Sequence, residues 1–87
     1  MTEMELLDAA GIALLSEDVE LWRKVIHAMA RMGRRIYVLY EPDGMHLSGC
    51  KDDAEVLRCI DTLEARYPGM SQIKDIDGHV IWERSVH

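Results

Sequence analysis

Hydrophobic residues recur at helical spacing through the first third of the chain. Thr2, followed three residues later by Glu5, is a capping-box pattern that predicts a first helix over about residues 3–15. Apolar residues cover so much of this helix that we expect it to be buried on most sides or to contact another chain. Ser16 is predicted to cap a second amphipathic helix, which ends at Gly33.

The pattern changes to that of a β-hairpin after the second helix. Residues 34–40 are rich in β-branched and aromatic side chains, and residues 41–44 are turn formers. We predict a three-residue loop with a bulge at Gly44, so that Leu39 faces Leu47. One face of the sheet then carries Tyr37, Leu39, Met45 and Leu47, and the other carries Ile36, Val38, Tyr40, His46 and Ser48.

A third helix and a second hairpin complete the chain. Asp52 with Glu55 resembles a capping box, and the apolar stripe that follows stops at Pro68-Gly69. Asp77-Gly78 between two short apolar runs predicts a two-residue type I′ turn. In that hairpin Ile73, Val80 and Trp82 would share one face, and Ile76 and Ile81 the other.

The order of elements is therefore α-α-β-β-α-β-β. This order predicts an α+β fold, with a mostly antiparallel sheet of two hairpins covered by helices. We assign residues 1–87 to a single small domain, because the chain has no repeat, linker or low-complexity tract. A chain of this length buries only about 60–65% of its unfolded surface, so a second copy or a partner can matter for stability.

Charge and cysteine content limit the classes of function. The net charge of −6 disfavours non-specific attraction to nucleic acid or to an anionic membrane, and it suits a partner with a basic surface. Acids precede the short apolar run at the N-terminus, so neither a secretory leader nor a membrane span is predicted, and we expect a cytoplasmic protein. In that compartment Cys50 and Cys59 would remain reduced.

The charges are segregated along the chain. Residues 1–20 carry six acids and no base, and residues 21–40 carry five bases and no acid. Residues 41–64 are again mostly acidic. The candidate acidic rim for binding a partner is Glu41, Asp43, Asp52, Asp53 and Glu55. The candidate basic stripe for binding an anion or nucleic acid is Arg23, Lys24, Arg31, Arg34 and Arg35. Either set is also compatible with an ordinary solvated surface.

No catalytic or metal-binding motif is visible. The sequence lacks a nucleophile elbow, a phosphate loop, a paired-cysteine zinc motif and a metal-binding histidine pair. His46, Cys50 and Cys59 lack the tight spacing of a zinc site. We therefore expect no enzyme activity, no cofactor and no metal.

The leading hypothesis is a small acidic module that binds another protein as an inhibitor or regulator. Its size and charge also fit a phage-type inhibitor, anti-CRISPR-like or antitoxin-like, of a nucleic-acid-handling complex. The alternative is a DNA-binding regulator that uses the basic stripe of the second helix. A homodimer is a further possibility, with Leu7, Ile12 and Leu14 of the first helix as the contact face.

Overall fold

Four helices and four strands form within residues 1–85, the part of the chain that the computed structural model describes. The helices are α1 (Glu3–Ser16), α2 (Val19–Arg31), α3 (Asp53–Arg58) and α4 (Ile60–Arg66). The strands are β1 (Arg35–Glu41), β2 (Gly44–Cys50), β3 (Gln72–Asp75) and β4 (Val80–Glu83). The predicted α+β class is confirmed, with one helix more than the sequence indicated.

Local hydrogen bonds determine where the first two helices begin and end. Thr2 and Glu5 form the predicted capping box at the start of α1. The prediction that Ser16 caps α2 is wrong, because the Ser16 hydroxyl donates to the Ile12 carbonyl and so belongs to α1. The cap of α2 is Asp18, whose carboxylate accepts from the Leu21 N–H at 3.0 Å.

The four strands form one antiparallel sheet in the order β2-β1-β3-β4. The predicted register of the first hairpin is wrong by one residue. Glu41 pairs with Gly44 across a two-residue loop, so Leu39 faces His46 and Val38 faces Leu47. Because side chains alternate between faces, the shift moves every side chain of β2 to the face opposite the predicted one.

Two other predictions require correction. The second hairpin does not have a two-residue type I′ turn, because the Asp75 N–H donates to the His79 carbonyl and the loop between β3 and β4 is longer. A register shift beside Ile73 also places Val80 opposite Lys74, so Val80 does not share a face with Trp82. The third helix is interrupted at Cys59, where ψ is 5°. These changes leave the class of fold intact.

The sheet separates two hydrophobic cores. On one face Ile36 packs with Leu6, Val25 and Met29 of the α1–α2 hairpin. On the other face Tyr37 and Leu39 pack with Cys50, Val56, Met70 and Ile73, and α4 covers them. Strand β1 therefore carries consecutive buried residues that belong to different cores. Within residues 1–85, no helix combines the length and the apolar character needed to cross a bilayer.

Candidate functional site

The structure divides the candidate acidic rim into two separate groups. Glu41 and Asp43 lie at the loop of the β1–β2 hairpin, whereas Asp52, Asp53 and Glu55 lie at its opposite end. Seven-residue strands separate the two ends by about 20 Å. The five acids therefore do not form one continuous surface.

Most acids of this rim also have internal partners. Asp52 caps α3 by accepting from the Glu55 N–H, and Asp53 accepts from the Tyr37 hydroxyl at 2.6 Å. Glu41 lies 2.7 Å from Nε2 of His46, whose ring stacks on Tyr67. The last acid, Asp43, is exposed at the tip of the hairpin. Most of these acids therefore stabilise the fold through hydrogen bonds within the chain.

Arg34, which the sequence placed in the basic stripe, holds three elements together. Its Nε donates to Glu3 at 2.7 Å, Nη2 donates to the Gly49 carbonyl at 3.0 Å, and Nη1 donates to Glu55 at 3.4 Å. The hydrogen bond that Arg34 donates to the Glu3 carboxylate raises the pKa of Arg34 above its already high ordinary value. Arg34 thus links α1, β2 and α3.

The remaining bases of the stripe stay at the surface. Arg23, Lys24 and Arg31 are exposed on α2, where Nε of Arg31 donates to the His27 carbonyl of the same helix. Arg35 opens strand β1 and is exposed. The structure therefore keeps three basic residues on one helix and separates Arg34 from them.

The turn between α1 and α2 brings acidic and apolar side chains together, which the sequence analysis did not identify. Leu14 and Val19 line a groove of about 220 Å³ with Trp22 at this turn. Val19 is 62% exposed. We define the α1–α2 tip as Leu14, Glu17, Asp18, Val19 and Glu20, all of which are exposed. The signal for this surface in the sequence is the density of acids beside leucine and valine over residues 14–20.

A second apolar surface lies between α1 and the edge strand β2. We define the α1–β2 groove, with a volume of about 500 Å³, as the surface lined by Leu7, Asp8, Gly11, Ile12, Leu15, Met45, His46, Leu47 and Tyr67. Of the predicted oligomer face, Leu7 and Ile12 lie in this groove, whereas Leu14 lies in the α1–α2 tip. The structure thus divides that predicted face between two surfaces.

Side chains able to bind a metal ion approach one another at a different place from the one considered in the sequence. Asp75, Asp77 and His79 have ligand atoms within 4.8 Å of one another on the β3–β4 loop. Asp75 already accepts from the N–H groups of Asp77 and His79, and it faces the His79 ring at 3.1 Å. Burial opposes ionisation of Asp75, but these hydrogen bonds outweigh it and lower its pKa. The carboxylate therefore serves to close the loop.

The two cysteines differ in accessibility. Cys50 is buried in the core, where desolvation and the nearby Glu55 carboxylate raise the pKa of its thiol. Cys59 is only partly buried, at the break between α3 and α4. The environment of Cys50 therefore disfavours the thiolate form.

Comparisons with known protein families, with curated proteins and with solved structures gave no match to this chain.

Proposed function

We propose that this protein is a non-enzymatic, protein-binding module that regulates or inhibits a partner with a basic surface. The observation that carries the proposal is the α1–α2 tip, where Glu17 and Asp18 line one groove with the exposed side chains of Leu14 and Val19, and the exposed Glu20 follows in the chain. Apolar contacts supply affinity in protein interfaces, while complementary charge supplies association rate and specificity. The tip offers apolar side chains and negative charge within one turn of the chain.

The proposed partner presents an apolar side chain within a group of lysine or arginine residues. Val19 and Leu14 would receive the apolar side chain, and the three acids would attract the surrounding bases. The helices on either side of the tip are anchored in a core by Leu6 and Met29. The surface is therefore preorganised, which lowers the entropic cost of binding.

The structure reduces the support for the DNA-binding alternative. Arg34 is held by Glu3, Glu55 and the Gly49 carbonyl, so the stripe on α2 retains Arg23, Lys24 and Arg31. Three bases on one helix, in a protein of net charge −6, would give weak and strongly salt-dependent binding to a duplex.

The test is affinity capture from an extract of the cells that encode the protein, with quantification of stoichiometric partners. The variant E17K/E20K reverses two charges of the tip. The control variant D61K/D77K makes the same change of net charge at two exposed acids outside the tip and outside the acidic rim. We expect a basic protein to be captured by the wild type and the control but not by E17K/E20K, and its association rate to fall as salt rises.

Three outcomes would contradict the proposal. They are the absence of a stoichiometric partner at low salt, capture that E17K/E20K leaves unchanged, and equal loss of capture in both variants. A salt-dependent shift of a DNA duplex that disappears in R23E/K24E/R31E would instead support the alternative.

A further inference from the structure

Strand β2 is an edge strand that carries none of the usual protective residues, although Arg34 donates to its Gly49 carbonyl. It is the outermost strand of the sheet, and its seven residues pair with β1 on one side. Proteins usually protect such an edge with lysine, proline, a bulge or a very short strand. β2 contains no proline and no Asp, Glu, Lys or Arg. The opposite edge, β4, is only four residues long, lies beside a register shift and ends at Glu83.

The α1–β2 groove runs beside this edge and leaves large apolar side chains exposed. Leu15 is 91% exposed and Met4 is 71% exposed, near the two ends of α1. Ile12 and Met45 are also mostly exposed. The edge of the sheet and the outer face of α1 thus form one mainly apolar surface, interrupted by Asp8 and His46, of the kind that marks an interaction site.

Gly11 gives an independent indication that another backbone approaches this surface. A glycine within a helix lowers helix propensity relative to alanine, so its presence requires a reason. The fold of the chain supplies none, because a Cβ at Gly11 would meet no atom within 4 Å. A glycine on an outer helix face allows a second helix to pack closely against it.

We infer that the α1–β2 groove binds a second copy of this chain, with the two α1 helices antiparallel and the two β2 edges beside them. The outer face of α1 has a nearly palindromic order of residues, which favours this occupant over an unrelated protein. Two antiparallel copies place Met4 of each beside Leu15 of the other. They also place Asp8 opposite Gly11, where the missing side chain leaves room for the carboxylate. A two-fold axis produces this kind of self-complementary contact.

The dimensions of the surface are suitable for a dimer. α1 has 14 residues and is about 21 Å long, and β2 has seven residues and is about 23 Å long. The two elements are therefore of similar length and line one groove, so both can contact a second copy along most of their length. The inference is separate from the proposed function, because the α1–α2 tips remain free at opposite ends of the dimer.

Sedimentation velocity of the full chain over a range of concentrations tests the inference. We expect the wild type to dimerise. Gly11→Gln should weaken the dimer at least tenfold, although it raises the melting temperature of the monomer by improving helix propensity. Ala65→Gln, at an exposed alanine of α4, is the matched control and should leave the dimer unchanged. A weaker dimer together with a higher melting temperature would show that Gly11 serves the interface, because a structural role for Gly11 predicts a lower melting temperature.

A charge-exchange experiment tests the antiparallel arrangement. M4K and L15E should each weaken the dimer, and the double variant M4K/L15E should recover part of the affinity, because each new lysine meets the new glutamate of the other copy. The two positions are too far apart on α1 to pair within one chain. A wild type that stays monomeric at about 1 mM, the Kd of very weak complexes, would overturn the inference. A dimer insensitive to Gly11→Gln, or not restored in the double variant, would overturn it as well.

Discussion

Replacement of Arg34 by methionine is the most informative single change for the fold. Methionine keeps much of the aliphatic length of the side chain but removes the guanidinium, which donates to Glu3, Glu55 and the Gly49 carbonyl. Only 29% of the Arg34 side chain is exposed, so these contacts are partly shielded from solvent. The two ion pairs contribute up to about 1 kcal/mol each, and the charged bond to the Gly49 carbonyl about 1–2 kcal/mol.

The expected loss in the free energy of unfolding is therefore about 2–3 kcal/mol for Arg34→Met. In a domain of this size each kcal/mol lowers the melting temperature by about 4–8 °C, so a fall of about 10–20 °C is expected. Urea denaturation followed by circular dichroism measures the free energy directly. Arg34→Lys should lose an intermediate amount, because an ammonium group cannot reach three acceptors in the geometry of the guanidinium fork.

Arg31→Met is the matched control, since Arg31 is exposed and makes only a 3.4 Å contact within its own helix. Its expected effect is within about 0.5 kcal/mol. Equal losses in the free energy of unfolding for Arg31→Met and Arg34→Met would refute the assignment of Arg34 as a structural link. A negligible loss for Arg34→Met would refute it too, and would return Arg34 to the exposed basic stripe.

Three further predictions concern titration, thiol reactivity and capping. Burial, and to a lesser extent the hydrogen bond to Asp53, raises the pKa of Tyr37. Because the unfolded chain therefore loses this proton first, the free energy of unfolding of the wild type should fall as the pH rises above about 10. Urea denaturation of Tyr37→Phe should show a weaker fall. Cys59 should react with a thiol reagent in the native protein, while Cys50 reacts only at the rate of unfolding, which mass spectrometry can follow. Asp18→Ala should cost about 1 kcal/mol in urea melts, whereas Ser16→Ala should cost less than about 0.5 kcal/mol.

Local patterns were sufficient to predict the class of fold. The capping box at Thr2 and the turn residues Pro42 to Gly44 gave α1 and the first hairpin, because their signals depend on neighbours within a few residues. The register of that hairpin was not predictable to one residue. A three-residue loop and a two-residue loop differ by a single peptide unit, and both accept Gly44.

The candidate sites were harder to predict because they depend on contacts between distant parts of the chain. The helical spacing of Arg34 placed it on the stripe, but the chain turns after Gly33, and the guanidinium reaches residues 15, 21 and 31 positions away. The edge position of β2 was also hidden, since β3 joins β1 from a distant part of the sequence. The acids and apolar residues of the α1–α2 tip were adjacent in the sequence, and their proximity was the one available indication of that surface.

The position of β1 between two cores has a consequence for how the domain folds and opens. Ile36 and Tyr37 are neighbours in the chain, yet each is fully buried in a different core. The core that contains Tyr37 cannot be completed until β1 has joined both β2, which supplies Cys50, and β3, which supplies Ile73 and lies more than 30 positions further along. Formation of the β1–β3 pair therefore sets the loop-closure cost of folding. The same strand couples the two cores, so the amide hydrogens of β1 should exchange only through global unfolding, and the domain should lose both layers of helix in one cooperative step.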